Sequence, residues 1–178
     1  GIVVALFERE LSGQGQWLHT SLLEAQAFML DFQAARWLMG NEVASQDGNY
    51  HSTIAPCGTF AAADGDLSLA VVGQLMWTRF CRALDREQWT DLPDYASNDQ
   101  RILNRARLHT EIELALGTKT RDHWVDHLND ASVPCGPIYG IDEMFDDPQL
   151  VHLGLVQDFS DPDSRRRKYL GQPLTMTI

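Results

Sequence analysis

The 178 residues carry 14 Lys and Arg against 25 Asp and Glu, a net charge of −11, with 44% hydrophobic and 22% charged residues. Those proportions describe an ordinary globular chain able to bury a sizeable core, and a field of that sign repels phosphate backbones, which argues against a nucleic acid partner. No run approaches the roughly 20 apolar residues of a membrane span, and the widely spaced Cys57, Cys81 and Cys135 point to reduced thiols in a cytoplasmic protein, not to a disulfide framework or a zinc site.

The chain opens on a helical run from Gly1 to Arg9 without an initiator Met and closes on an apolar, strand-like run, Leu174-Thr175-Met176-Thr177-Ile178. Natural termini are usually polar and frayed, so the sequence reads as an internal fragment of a longer protein. After the first helix, Gly13-Gln14-Gly15 supplies the positive φ angles of a tight reversal. A short strand and then a long helix follow. Ser21 and Glu24 form an S-x-x-E capping box at its start, and such a cap is worth roughly 1 kcal/mol. Residues 21–39 are apolar on most faces, as in a buried or interface helix, and Gly40 is expected at C′. The Gly-, Asn-, Ser- and Asp-rich stretch 41–56 reads as a linker between domains.

Strands at 57–63 and 66–72 flank Asp64-Gly65, a pair favoured in two-residue hairpin turns. A helix over 74–84 places Leu75, Trp77, Phe80 and Leu84 on one face. The next, over 99–116, carries Ile102, Leu103, Ala106, Ile112 and Leu116, with Ser97 or Asn98 as cap and Gly117 as stop. A third, over 121–131, is anchored by Trp124 and Leu128. Val133-Pro134-Cys135-Gly136-Pro137-Ile138-Tyr139 is extended, because proline biases its predecessor away from helix. A short helix at 142–145, a Pro148-initiated turn over 149–153 and a hairpin of 156–159 with 169–178 complete the pattern. The fold class is α+β, helix-rich, with a small antiparallel sheet.

Several chemical readings compete with plainer ones. Gly13-Gln14-Gly15 lies between a helix and a strand, the reverse of a dinucleotide-binding turn, which runs strand to helix. His123 and His127 share a helix face at zinc-site spacing, but Trp124 and Leu128 take the buried face, and neither a Glu after the first His nor a third ligand accompanies them. Cys57 and Cys135 sit in apolar strand contexts, as structural cysteines do. Arg165-Arg166-Arg167-Lys168 follows the turn sequence Asp161-Pro162-Asp163-Ser164 and reads as a solvated loop. The acidic Asp142, Glu143, Asp146 and Asp147 complement helix starts. The segment that best suits a binding role is Gly48-Asn49-Tyr50-His51-Ser52, which joins a flexible glycine, amide and imidazole donors and an aromatic ring just before the hairpin.

Taken in order, the first 25 residues (with their R-x-x-S-G-x-G-Q core and S-L-L-E-A helix start), G-N-x-H-x-x-x-A-P-x-G-x-F over 48–60, Asp64-Gly65, Trp77-Thr78-Arg79-Phe80-Cys81, Trp124, Val133-Pro134-Cys135-Gly136-Pro137 and Asp147-Pro148-Gln149-Leu150 resemble the family III CoA-transferases. The group includes carnitine and formyl-CoA transferases. The resemblance implies a Rossmann-like large domain, a smaller second domain and an interlocked homodimer. It also implies transfer of coenzyme A between carboxylic acids through a covalent intermediate on an aspartate. Residues 1–40 would then be the C-terminal part of the large CoA-binding domain, 41–170 the small domain, and 171–178 a return segment. The substrates would be an acyl-CoA and a carboxylic acid, with the coenzyme A thioester as substrate and no bound cofactor.

The same resemblance puts the nucleophilic aspartate upstream of Gly1, so the fragment is expected to be inactive alone. It also makes Gly48, Asn49, Tyr50 and His51 the candidate substrate-binding residues, at the place where formyl-CoA transferases carry a mobile glycine-rich loop; here only Gly48 is a glycine. Ser52 stands where proline often follows the histidine, and Cys57 where an aromatic is common. An α-methylacyl-CoA racemase shares the expected fold and is the enzymatic alternative. A non-catalytic assembly module, with helix 21–39 as its interface, is the alternative of another kind.

Overall fold

The computed structural model describes residues 1–160 and 166–171. The chain divides into two compact units, residues 1–46 and residues 47 onward.

The first unit holds α1 (Ile2–Ser12), α2 (Leu22–Phe28) and α3 (Phe32–Gly40). Gly13 ends α1 at φ 72°, the left-handed cap expected of a glycine there. No strand forms over 16–20; a strand needs a neighbour for its amide ladder, and none of the described residues supplies one. Ser21 caps α2 by accepting from the Glu24 amide at 3.2 Å, and its hydroxyl bonds the Glu24 carboxylate at 2.8 Å. The capping box is therefore half formed, because Glu24 takes the hydroxyl and not the backbone amide. The single long helix expected over 21–39 is two helices, broken at Asp31, whose φ of 46° no helix accommodates. Asn41, at φ 52°, takes the left-handed cap position expected for Gly40, which stays inside α3. None of these helices contributes a buried residue.

The second unit is built on a three-stranded antiparallel sheet, in the order β1 (Cys57–Ala61), β2 (Asp66–Ala70), β3 (Cys135–Pro137). Ala61 pairs with Asp66, so four residues join β1 to β2, closed by an Ala62 N–H to Gly65 carbonyl bond of 2.9 Å. The hairpin is thus wider than the two-residue turn its Asp-Gly pair suggests. Period-2 alternation aims Phe60, Leu67 and Leu69 at one face. That face packs on α4 (Gln74–Ala83), α6 (Arg105–Leu116) and α7 (Arg121–Asp130), which supply Trp77, Phe80, Leu108, Ile112, Leu116, Trp124 and Leu128. Each such side chain gains roughly 1.5–3 kcal/mol from leaving water. Two short 3-10 turns, Glu87–Asp91 and Pro93–Tyr95, add Trp89 and Tyr95, which stack on or abut the Trp77 ring with centroids 6.3 Å away.

The expected helix over 99–116 is likewise two, α5 (Asn98–Leu103), capped by Ser97, and α6, with the break at Asn104. The break shifts the buried face. Leu103 and Ala106 are exposed, while Leu108 and Ala115 join Ile112 and Leu116 inside. On α4, Leu75 is exposed and Cys81 is buried with Trp77 and Phe80. Beyond β3 lie α8 (Ile141–Asp146), α9 (Pro148–Leu153) and a separate hairpin of β4 (Val156–Ser160) with β5 (Arg166–Leu170). Arg166, Arg167 and Lys168 therefore lie in a strand and not in the expected loop, because their amides pair with Ser160, Phe159 and Asp158. The turn 161–164, the final run 174–178 and most of the strand expected over 169–178 fall outside the described residues.

Candidate functional site

The segment before β1 runs alongside it as a partial fourth strand. The Asn49 carbonyl accepts from Thr59 N–H at 3.2 Å, His51 N–H donates to the Cys57 carbonyl at 3.0 Å, and Tyr50 bridges Gly58. This approach requires glycine at 58. Its φ is +146°, and a Cβ there would overlap the Asn49 carbonyl oxygen. Gly48, at φ +61°, turns the chain into the ladder.

The other side of the segment is gripped by one face of α5 and α6. Asn98 and Arg101 on α5, and Arg105, His109 and Glu113 at spacings of four on α6, all turn to the segment and β1 and together form one polar stripe. Asn98 donates to the Thr53 carbonyl at 2.9 Å and accepts from Ala55 N–H at 3.1 Å. Arg101 Nε donates to the Ala55 carbonyl at 2.7 Å. One Arg105 nitrogen reaches the carbonyls of His51 at 2.8 Å and Ser52 at 3.3 Å, while another lies 3.7 Å from the Asp47 carboxylate. His109 Nε2 contacts the Thr59 carbonyl at 3.2 Å, and Glu113 accepts from Ala61 N–H at 3.0 Å. The loop and β1 are thus fixed by side chains, which suits a segment of irregular backbone that cannot satisfy itself.

Each expected site residue can now be placed. Gly48 and Asn49 are exposed at the turn. Tyr50 is half-buried, edge-on to His109 with ring centroids 4.9 Å apart, and the Arg105 guanidinium lies 5.8 Å from its ring. His51 is half-buried, and its Nδ1 accepts from Thr53 N–H at 3.2 Å. A backbone amide can only donate, so the ring proton sits on Nε2. The four are consecutive in the sequence and run along the edge of β1. The stripe behind them is not evident in the apolar pattern of these helices; its signal in the sequence is the recurrence of polar residues at 98, 101, 105, 109 and 113.

The remaining candidates carry less. Burial pushes the Cys57 thiol up, Cys135 up to about 11 and Cys81 up to about 12, so the three are poor thiolates. His123 and His127 are exposed and stack with centroids 5.7 Å apart, and His127 Nε2 contacts the Ala83 carbonyl at 3.0 Å. No group of three potential metal ligands occurs among the described residues. Arg121 and the Gly140 amide hold the Glu143 carboxyl below the usual range, which gives that one α8 acid a structural role.

The sequence profile described as CoA-transferase family III matches residues 1–177. The chain belongs to that family. A succinyl-CoA:mesaconate CoA-transferase of Haloarcula hispanica is 28% identical over 99% of this chain and 44% of its own length. A succinate–glutarate CoA-transferase of Agrobacterium fabrum is 30% identical, again over 99% of this chain and 44% of its own. Among solved structures, a CAIB/BAIF family protein from Brucella suis superposes with a TM-score of 0.80 at 27% identity, covering 99% of this chain and 45% of that one. The family III chain described here therefore spans less than half the length of these relatives. No helix among its described residues is long and apolar enough to cross a membrane.

Proposed function

We propose that this family III chain is the part of a CoA-transferase that contributes the 48–51 loop to the acyl-CoA site, in a cytoplasmic homodimer whose nucleophilic aspartate lies outside these 178 residues. On this reading the aspartate carboxylate attacks the thioester carbonyl of the donor. The C–S bond breaks, CoA leaves as thiolate, and a mixed anhydride forms. The thiolate then attacks the enzyme's carbonyl, which releases the donor acid and leaves an enzyme–CoA thioester. An acceptor carboxylate repeats the sequence in reverse and departs as the new CoA ester. Small dicarboxylic acids are the proposed pair, supported by the succinyl-, mesaconate and glutarate names of two of the relatives.

The observation that carries the reading is the loop itself: irregular backbone at a sheet edge, fixed from behind by a dedicated polar stripe, in a chain matched end to end by a transferase family. Rigid backbone of this kind presents polar groups without an ordering cost at the moment of binding. The proposal that residues 1–40 belong to a larger domain is supported by their surface. Val3, Phe7, Trp17, Leu22 and Phe28 are all at least two-thirds exposed, far more apolar surface than a finished domain leaves in water.

The test is the intact mass of the full-length protein mixed with succinyl-CoA and no acceptor. The reading expects a CoA thioester adduct that vanishes when an acceptor acid is added. Exchange of the α-proton of a branched acyl-CoA, with no adduct and no transfer, would replace it with the racemase chemistry.

A further inference from the structure

The stripe on α5 and α6 is uneven in what it holds. Asn98 and Arg101 secure the end of the segment nearest β1, and His109 and Glu113 bond β1 itself. His109 also meets the Tyr50 ring, but Arg105 is the member of the stripe that bonds the backbone of the segment proposed to face the substrate. Its guanidinium makes three kinds of contact along six residues: an ion pair to Asp47 at the start, a ring contact to Tyr50 in the middle, and hydrogen bonds to the carbonyls of His51 and Ser52 at the end. Both charged side chains of the pair are at least three-quarters buried, so solvent competes weakly for them.

A planar fork is what this geometry demands. One nitrogen must lie between two successive carbonyls while a second faces a carboxylate on the other side. An ammonium offers a single point of attachment and cannot span them. The direction of the carbonyls also has a consequence. A trans peptide holds its N–H opposite its C=O, so drawing the carbonyls of His51 and Ser52 toward Arg105 turns the amides of Ser52 and Thr53 away from it. The Thr53 amide then meets His51 Nδ1, which fixes the imidazole with its proton on Nε2. One side chain thereby sets the turn, the aromatic ring and the histidine tautomer together.

We infer that Arg105 is a positioning residue for acyl-CoA binding: its guanidinium, acting through Asp47, Tyr50 and the carbonyls of His51 and Ser52, fixes the loop that meets the CoA ester, so that the loop is a standing platform and not a mobile lid. The inference rests on the reading of 48–51 as substrate-facing.

The experiment uses the full-length protein with R105A and R105K, read by amide hydrogen exchange over 47–58 and by steady-state kinetics with succinyl-CoA. Losing hydrogen bonds to a charged donor corresponds to roughly 10- to 100-fold faster exchange, and R105A is expected to show it over 47–53 while α7 exchanges as in the parent. The KM for the CoA ester rises about tenfold with kcat within about threefold, since a platform that binds ground state and transition state alike moves KM alone. Added guanidinium ion restores part of the KM in R105A, and R105K resembles R105A despite its charge. A residue that merely stabilises the fold would lower kcat through the active fraction and leave KM unchanged. Unaltered loop exchange in both variants, or a lowered kcat at constant KM with no guanidinium rescue, overturns the inference. A parent protein that transfers no CoA overturns the function proposed above, and the exchange data still decide whether Arg105 holds the loop. Should R105A fail to fold, R105K with the same readouts decides.

Discussion

Gly58 lies against the carbonyl of Asn49 so closely that a Cβ at position 58 would overlap its oxygen. That contact brings the loop 48–51 onto the edge of β1 and lets Thr59 N–H reach the same carbonyl at 3.2 Å. The glycine is needed twice over, for space and for a φ of +146°. Substituting G58A is expected to cost roughly 1–3 kcal/mol in backbone strain alone and to lift the loop off the strand. Urea denaturation reads the first effect, and faster amide exchange at His51 and Thr59 reads the second. A G58A protein of parental stability and loop protection would contradict the geometry.

The buried face after Asn104 gives a prediction that sequence periodicity would not. Leu108 is 1% exposed and Leu103 is 77% exposed, although both are leucines in the same amphipathic stretch. L108A leaves a cavity under β1 and is expected to destabilise by about 2–5 kcal/mol. L103A is expected to stay within about 0.5 kcal/mol of the parent. Equal losses at the two sites would restore the unbroken helix.

Arg101 is buried to 1% exposure, and its hydrogen-bond partners are carbonyls of Ala55 and Tyr95 and the Gln74 side chain, with its guanidinium 4.7 Å from the Trp77 ring. Burial pulls its pKa down from the usual arginine value. R101A would leave two inward carbonyls without their donor and is expected to cost about 3 kcal/mol. Arg107, exposed and paired with Asp94 and Glu111, is the control; R107A should leave the denaturation midpoint close to that of the parent. Comparing the two denaturation midpoints separates a buried donor from a surface ion pair.

Alkaline pH should destabilise the fold. Burial pushes the Cys81 thiol up to about 12 and Cys135 up to about 11, against an ordinary value of 9.0. Above that ordinary value the unfolded chain loses these protons while the folded chain keeps them. Stability is therefore full below pH 9 and falls as pH rises through the window toward 11 and 12. The slope for each group is on the order of 1 kcal/mol per pH unit. Denaturation at pH 8 and pH 10.5, with C81A losing part of the difference, checks the sign and the assignment. Thiol labelling at pH 8 should likewise be slow in the folded protein.

Much of the second unit was legible because its signals are local. Asp64-Gly65 between alternating runs marked the hairpin, Ser97 and Gly117 marked helix ends, and Trp124 and Leu128 marked the buried side of α7. Misreadings arose where a local pattern continued across a break in the backbone. Neither Asp31 nor Asn104 is a strong helix breaker, yet each interrupts a run that periodicity alone joins. The loop 48–51 was visible through its mix of glycine, amide and aromatic residues. Its support was not, because Arg105 acts on backbone carbonyls more than fifty residues away in sequence, and nothing in local composition encodes such a contact. The strand expected at 16–20 needs a neighbour that the described residues do not contain, so its absence reflects pairing and not propensity.

Transfer itself is the decisive measurement. Full-length protein incubated with succinyl-CoA and glutarate, with products separated by mass, should yield glutaryl-CoA in step with released succinate, and without an acceptor acid no more succinate than the enzyme–CoA adduct accounts for. Succinate released over many turnovers without an acceptor-derived CoA ester, across glutarate, mesaconate and other small dicarboxylic acids, would contradict the account.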